Sequence, residues 1–384
     1  MSWGTALWRV RYAVSLAYLP CLLLLGPPVS AAPLPQPVDA AAAAPKAGRT
    51  IGLVLTDWRY ALYQTPGLTE CPAGLQPGEV AQFKAQPDPL GHLHKFGGTT
   101  QNRGPNGENA NYSPLAIEDP LPFNELKTEV GYGFNLDGTT DGHATPKSLA
   151  HEKFTSPEGE QVDNQMARVL GCVQGWRKNG FMAEFYSKEV ETSPVNRHLI
   201  EITGVDDETN DPDVEVAIFK GRDRLVRTAS GAFVPFISHR IDERFPQYMF
   251  KTHGRIVDGV LITDPIPLAR VPLLQIQIPD ERHIHDLTLR LKLTANGAEG
   301  LLGGYEELAT WWNVHSKSPG SDVGKYSPTA LYKAAHRYAD GYPDPATGQP
   351  TAISVAYQVS AVRALIVHPG RLPGGIVAQS SGER

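Results

Sequence analysis

The sequence predicts a mainly β protein, an antiparallel β-sandwich with several peripheral helices. Between His198 and Asn296, short segments rich in Val, Ile, Leu, Phe and Thr are separated by turn residues, a pattern typical of antiparallel strands. Four leucines alternate with polar residues across Leu287–Leu293, which indicates a strand with one buried face. Strands at this regular spacing favour two packed sheets.

Residues 1–32 have the organisation of a cleaved signal peptide. Arg9 and Arg11 precede the apolar run AVSLAYLPCLLLLG, and small residues at Val29–Ala32 offer a cleavage site. The run is shorter than the roughly 20 residues of a transmembrane helix. A lipid anchor on Cys21 and a retained anchor helix are the alternatives. We therefore expect a secreted or periplasmic protein whose mature chain has no transmembrane segment.

Composition divides the remaining chain into three parts. Residues 33–49 are rich in proline and alanine without apolar periodicity, which predicts a flexible linker. Residues 50–368 contain no repeat and no second linker, so we expect a single β-rich globular domain. The run IGLVL after Thr50 predicts its first strand. Residues 369–384 predict a disordered tail.

Several helices are expected around the strands, three of them after residue 150. Val162, Met166, Val169 and Val173 share one helical face, which predicts a helix over residues 159–173. The sequence YEELATWWNVH is consistent with a second helix. Ser327-Pro328 is a favourable start for a third helix that runs to about Asp340, because serine caps well and proline suits the first helical position.

The charge balance argues against nucleic-acid and anionic-membrane partners. The chain has 35 Lys plus Arg and 41 Asp plus Glu, a formal charge of −6. Removal of the signal peptide deletes two arginines and no acids, so the mature chain would carry 33 − 41 = −8. Proteins that bind polyanions present a basic face instead.

Cys71 and Cys172 are the two cysteines outside the signal peptide. In an oxidising compartment the simplest outcome is one disulfide between them. A reactive thiol or a metal ligand is the alternative. Neither CxxC nor CxxCH occurs, so redox-motif and covalent-haem sites have no support.

The strongest candidate site is an acidic turn at residues 137–142, DGTTDG. Oxygen ligands at Asp137, Thr139 and Asp141 and a glycine at position 6 match the first half of an EF-hand calcium loop. Position 12 is Ser148 instead of glutamate, so the turn is not a complete EF-hand. Asp and Gly also build ordinary turns, which is the alternative interpretation.

Calcium requires six to eight oxygen ligands, so another acid must return to the turn. We choose Asp163 first and Glu158 second, because both belong to the same segment, Gly131–Trp176. The predicted metal ligands are Asp137, Thr139, Asp141 and Asp163, and the predicted ion is Ca²⁺. Acids near a helix start also stabilise its dipole, which is the alternative role for Asp163 and Glu158.

Four other clusters are weaker candidates. His92 and His94 lie in a polar loop, and residues 206–213 form an acidic stretch suited to a hairpin tip. His283 and His285 share one face of a predicted strand, the one that bears Leu287 and Leu289. Glu306 and Glu307 stand beside two tryptophans, a pattern that could combine a carboxylic acid with a sugar-stacking platform.

The motifs NLDG, VDNQ, GC and GW, followed by LLGGY and YPDPATGQ, give the chain a resemblance to uncharacterised secreted proteins of bacteria. The resemblance covers most of the mature chain. It implies export and one coherent domain. It implies no activity and no site residue.

Two functions from different classes follow. The first is an exported bacterial binding or structural module, stabilised by Ca²⁺ and one disulfide, whose partner is a carbohydrate or another exported protein. The second is an extracytoplasmic hydrolase acting on carbohydrate, with Glu306, Glu307 or the His283/His285 pair at its centre. GxSxG, HExxH and P-loop motifs are absent from the sequence.

Overall fold

The computed structural model describes residues 48–75, 106–109, 111–116, 123–317 and 328–371. The predicted signal peptide, the linker before residue 48, the tail after residue 371 and the His92/His94 loop lie outside these residues. No helix among the described residues combines the length and apolarity needed to cross a membrane.

Thirteen strands dominate the described chain, as the sequence pattern predicted. They are β1 Arg49–Tyr60, β2 Phe154–Thr155, β3 Gln161–Val162, β4 His198–Val205, β5 Asp211–Lys220, β6 Ile237–Arg240, β7 Phe250–Val257, β8 Val260–Thr263, β9 Ile266–Gln275, β10 Ile278–Leu293, β11 Gly297–Glu307, β12 Gly341–Pro343 and β13 Pro350–Val367.

The main sheet closes into an antiparallel barrel of eight strands, in the order β1-β4-β5-β7-β8-β10-β11-β13, with β13 paired back to β1. The mainly β, antiparallel prediction is confirmed, and the sandwich is wrong. A sandwich would leave β1 and β13 at sheet edges. Instead β13 pairs with β11 on one side and with β1 on the other, so these two strands satisfy their backbone groups without free edges.

Three further strands, β6, β9 and β12, extend the barrel wall. Strand β9 pairs with the first half of β10, β12 pairs with β13, and β6 adds to the end of β13 in the parallel direction. Strands β2 and β3 form a separate small hairpin. The hairpin belongs to the covering segment, residues 131–176, which packs on the outer face of the barrel. The core therefore lies inside the barrel and under the elements packed on its outer face.

Four α-helices of the described residues pack around the barrel: α1 Gln165–Leu170, α2 Phe181–Thr192, α3 Leu308–Lys317 and α4 Pro328–Tyr338. Helix α4 begins at Pro328, as predicted. The helix expected over residues 159–173 is shorter, because Gln161 and Val162 pair as strand β3 and the N–H of Asp163 donates to Phe134 O. Helix α1 therefore begins at Gln165, after the residues that form these backbone hydrogen bonds.

The barrel interior is apolar except at one end. Leu53, Leu55, Ile200 and Leu289 are among its fully buried side chains. At the end near helix α3, Arg282 of β10 forms a buried ion pair with Glu306 of β11, which also accepts a hydrogen bond from the hydroxyl of Tyr357. Removing one member of such a buried ion pair destabilises the fold, because the other charge is then buried without a partner.

Strand β10 contains a bulge at Asp286 that reverses its side-chain alternation. The pairing with β11 shifts register between His285 and Thr288, and Asp286 has a φ of 51°. His283 and His285 share one face, as predicted, but they lie on the outer face, whereas Leu287 and Leu289 lie inside. The expectation that the histidines continue the leucine stripe is wrong, because one extra residue exchanges the two faces.

The predicted disulfide between Cys71 and Cys172 is present, with a Cα–Cα distance of 5.1 Å. It joins the segment after β1 to the residues just beyond helix α1. Cys172 is fully buried, and its neighbours Leu170 and Val173 belong to the core. The cross-link therefore ties the covering segment to the start of the barrel.

Replacing both cysteines by serine should lower the free energy of unfolding by about 4–5 kcal/mol, because the bond closes a loop of 101 residues and chain entropy favours long closed loops. Urea unfolding of the oxidised wild type and the double variant measures the difference. Each single variant serves as a control and should resemble the double variant. Equal unfolding midpoints in wild type and double variant would contradict the prediction.

Two buried histidines should make the fold sensitive to acid. Burial, with the charges of Lys220 and Arg197, lowers the pKa of His198 to about 3, and burial lowers the pKa of His315 to about 3. The folded pKa lies below the unfolded value of about 6.5. The stability from these neutral rings is therefore complete above about pH 6.5 and is lost as pH falls towards 3.

Each histidine contributes at most ~1.4 kcal/mol per pH unit to the slope of the unfolding free energy against pH. We expect His198→Gln and His315→Gln to flatten the fall of the unfolding free energy between about pH 6 and pH 4, measured by urea unfolding. His253→Gln, at a histidine that is 62% exposed, is the matched control and should leave the slope unchanged. A slope unaltered in all three variants would refute the assignment.

Candidate functional site

The acidic turn at residues 137–142 forms by local hydrogen bonds. Asp137 Oδ1 accepts from the N–H and the hydroxyl of Thr139, at 2.8 and 3.0 Å, and Thr139 Oγ1 accepts from the N–H of Gly142. Gly142 has a φ of 69°, and a Cβ there would lie 1.9 Å from His151 O. Only glycine therefore lets the turn approach the chain at His151.

A second segment brings His151 and Lys153 beside this turn. The N–H of His151 donates to Gly142 O. Lys153 Nζ donates to Asp137 Oδ1 at 2.7 Å and to Asp163 Oδ1 at 2.7 Å. The Lys153 side chain is only 2% exposed, so its ammonium is an internal cation between two carboxylates.

Asp163 occupies the centre of the cluster. Its Oδ1 lies 2.8 Å from His151 Nε2, and its Oδ2 accepts the N–H of Leu136 at 2.7 Å. It is fully buried on the chain just before helix α1. The acid chosen from sequence as the remote partner of Asp137 therefore does return to the turn, and Lys153 bridges the two.

Asp340 approaches from the opposite side of the cluster, between helix α4 and strand β12. Its Oδ1 accepts the N–H of Ser354 of β13, and its Oδ2 lies 3.7 Å from His151 Nε2. Burial raises the pKa of Asp340 to about 7. Burial lowers the pKa of His151, but the hydrogen bond to Asp163 and the charge of Asp340 outweigh it and raise the pKa to about 9.

Asp137, His151 and Asp163 form a group that could hold a metal ion, because their ligand atoms all lie within 4.8 Å of one another. The group combines two carboxylates with one imidazole nitrogen. Calcium sites are built from oxygen ligands, whereas imidazole suits zinc and its transition-metal neighbours. The donor set thus matches the predicted position of a cation site but differs from the predicted ligands.

The other predicted ligands lie at the edge of this group. The Thr139 hydroxyl is bonded to Asp137, and the Asp141 carboxylate is on the surface, bonded to His143. Glu158 is exposed on the covering segment. The structure therefore brings Asp137 and Asp163 together with Thr139 beside them, and it leaves Asp141 and Glu158 outside.

The weaker sequence candidates do not converge. In the acidic stretch at residues 206–213, residues 206–210 connect β4 to β5 and residues 211–213 begin β5. Glu307 on the outer face accepts from both His283 and His285, at 3.0 and 2.9 Å. Glu306 points into the barrel and pairs with Arg282. The two neighbouring glutamates thus face opposite sides of the wall.

An open groove of about 920 Å³ crosses the outer face of the barrel. Two rows of cross-strand neighbours on β1, β13, β11 and β10 form its floor. The first row is Arg59, Gln358, Leu301 and Arg290, and the second row is Asp57, Ser360, Glu299 and Lys292. The covering segment lines one side with Tyr132, Glu158 and Glu160. Lys178, which precedes helix α2, and Ala183, in its first turn, line another side.

Sequence reasoning missed His151, Lys153 and Asp340. His151 and Lys153 are two residues apart, so an extended chain places both on one side, a signal that was available in the sequence HEK. Asp340 follows helix α4 without any motif around it. Nothing local links it to a turn 203 residues earlier (340 − 137).

Comparisons of the chain with protein-family models, curated proteins and solved structures found no match. The site must therefore be interpreted from its own geometry.

Replacing Lys153 by methionine should cost about 3–5 kcal/mol of stability in chelator-treated buffer, because two buried carboxylates lose their shared cation. Lys147→Met is the matched control. Lys147 pairs with Asp286 but is 57% exposed, and exposed pairs contribute about 0–1 kcal/mol. Urea unfolding compares the two variants, and equal losses would show that Lys153 has no special structural role.

Proposed function

We propose that this protein is an exported bacterial binding module, and that the groove across β1, β13, β11 and β10 binds a hydroxyl-rich ligand such as an oligosaccharide. The observation that carries the proposal is the groove itself. Its volume of about 920 Å³ lies within the range of ligand sites. Its floor is polar on rigid strands, which suits binding by preorganised side chains.

The groove offers hydrogen-bonding groups that the protein does not use itself. Glu299 and Gln358 are exposed, and their side chains have no hydrogen-bond or ion-pair partner in the part of the chain that the structure describes. Four basic and four acidic residues line the groove, so it has no net preference for a charged ligand. Balanced charge with free donors and acceptors favours a neutral polar ligand.

An aromatic ring supports the carbohydrate class. Tyr132 lines the groove and packs edge-on against Tyr63, with ring centroids 5.5 Å apart. Amphipathic tyrosine combines an apolar face with a hydroxyl group, which suits a sugar ring that has apolar C–H faces and polar edges. Packing against Tyr63 holds the ring in place.

Export is supported by the disulfide between Cys71 and Cys172, because such bonds persist in oxidising compartments. A secreted or periplasmic location remains part of the proposal, together with cleavage after residues 1–32. A structural cation at the Asp137 group is also part of it. Calcium was the ion expected from the sequence, and the imidazole of His151 favours a transition metal in its place.

The alternative function, a carbohydrate hydrolase, receives less support. Two carboxylates must flank one glycosidic bond, yet Glu306 faces the barrel interior and Glu307 faces outward, bonded to His283 and His285. These glutamates therefore cannot act as a pair. A binding role needs no such arrangement.

An oligosaccharide array followed by calorimetry tests the proposal. We expect saturable binding, with the ligand recovered intact, and at least about a tenfold weakening in Tyr132→Ala and Glu299→Ala, since each removes a direct contact worth more than about 1.4 kcal/mol. Glu215→Ala is the matched control, because Glu215 is an exposed glutamate on strand β5, away from the groove.

Three results would overturn the proposal. The first is the absence of binding across the array by folded protein. The second is equal binding in the wild type and in both groove variants. The third is release of new reducing ends from the bound oligosaccharide, which would favour the hydrolase.

A further inference from the structure

Two carboxylate oxygens in the buried cluster face His151 Nε2 without a strong donor of their own. Asp340 Oδ2 is buried, has no hydrogen-bond partner among the described residues and lies 3.7 Å from Nε2. Asp137 Oδ2 lies 4.0 Å from Nε2, and within the part of the chain that the structure describes it accepts only a 3.3 Å hydrogen bond from Ser148. Buried anionic oxygens without donors are costly, so their convergence needs a physical cause.

His151 is oriented as a metal-binding histidine would be. Its Nδ1 lies 2.8 Å from Leu149 O, so this nitrogen carries the proton and donates to the carbonyl. The other nitrogen, Nε2, then faces Asp163, Asp340 and Asp137. A backbone carbonyl on the far ring nitrogen is the usual partner that fixes the tautomer and aims the free nitrogen at a metal.

We propose that Asp137, His151, Asp163 and Asp340 form a structural site for one divalent first-row transition-metal ion, with Zn²⁺ the expected ion. The inference concerns the covering segment and does not depend on what the groove binds. His151 supplies Nε2, and Asp137 and Asp340 supply their free Oδ2 atoms. Asp163 supplies Oδ1.

Distances around Nε2 suit such an ion. Metal–ligand bonds of about 2.0–2.2 Å place neighbouring ligand atoms about 3.3 Å apart in a tetrahedron. The three oxygens lie 2.8, 3.7 and 4.0 Å from Nε2. Changes of less than an ångström would bring each of these three distances to that value. Asp340 lies outside the group of Asp137, His151 and Asp163, so its carboxylate would also have to move towards the other two acids.

Charge balance favours the same ion. Three carboxylates carry −3 and Lys153 carries +1, so a divalent cation with neutral His151 makes the cluster neutral. Lys153 need not leave, because it holds Asp137 through Oδ1 whereas the metal takes Oδ2. Asp163 Oδ1 keeps the hydrogen bond that it accepts from Lys153 Nζ, which would then orient this ligand without contacting the metal. An electroneutral cluster lowers the cost of burial.

Burial indicates a structural role for the site. The side chains of Asp137 and Asp163 are 0% exposed, Asp340 is 1% exposed and His151 is 7% exposed. Catalytic zinc keeps an open position, and structural zinc has four protein ligands. The metal would connect four separate stretches of chain and fix them to strand β13 through Asp340 and Ser354.

The test uses the purified full chain, stripped with a chelator and then titrated with Zn²⁺, Mn²⁺ and Ca²⁺ by calorimetry. We expect one Zn²⁺ or Mn²⁺ per chain, and weaker binding of Ca²⁺. Saturation at a hundredfold excess over the dissociation constant should raise the melting temperature by about 5 °C, because the metal binds only the folded state.

Matched histidine variants locate the ion. His151→Gln should weaken Zn²⁺ binding by at least about 100-fold, as loss of a ligand does, whereas His143→Gln, at an exposed histidine of the same segment, should bind as the wild type does. Asp340→Asn is the milder second variant and should weaken binding by at least about tenfold. Circular dichroism confirms that each variant is folded.

The proposal is overturned if the folded wild type binds none of these ions stoichiometrically. It is also overturned if His151→Gln and Asp340→Asn bind Zn²⁺ like the wild type. Tight Ca²⁺ binding that exceeds Zn²⁺ binding and disappears in Asp141→Asn would assign an oxygen-only loop instead.

Discussion

The neutralisation of buried carboxylates on the outer face of the barrel is the constraint on which the covering segment depends. Asp163 and Asp340 are buried, and the Asp137 side chain is inaccessible. The carboxylate oxygens of Asp137 and Asp163 lie within 4.8 Å of each other, and like charges so close together repel strongly where water is excluded. Lys153 and His151 supply the opposing charge from the same segment, so the segment can pack on the barrel only when its own cations accompany its acids.

The strands β11 and β13 serve two environments at once. The stretches of these strands that contain Gly303, Tyr305 and Ser354 lie beneath the covering segment. Farther along the same strands, Gln358 in the first row and Glu299 in the second row form part of the open groove floor. Because side chains alternate along a strand, the inner positions of both strands still complete the apolar core. One continuous wall therefore supports a closed charged cluster and an open polar groove.

Predictions that depend only on residues near each other in the sequence, or on the number of cysteines, are confirmed. The strands of the antiparallel sheet, the start of helix α4 at Pro328 and the disulfide followed from alternation, capping chemistry and cysteine number. Predictions that assumed unbroken periodicity were wrong. The helix over residues 159–173 is interrupted by the β3 pairing, and the bulge at Asp286 moved His283 and His285 to the outer face.

The sequence by itself determined the acidic turn at Asp137, because its hydrogen bonds run between residues two or three positions apart. It also determined that the described chain would be mainly β, with antiparallel strands. Only the tertiary structure decided that the sheet closes into a barrel, since closure depends on β1 and β13 meeting from opposite ends of the chain. Only the tertiary structure joined Asp340 to His151, because side chains so far apart in sequence meet through packing and leave no local pattern.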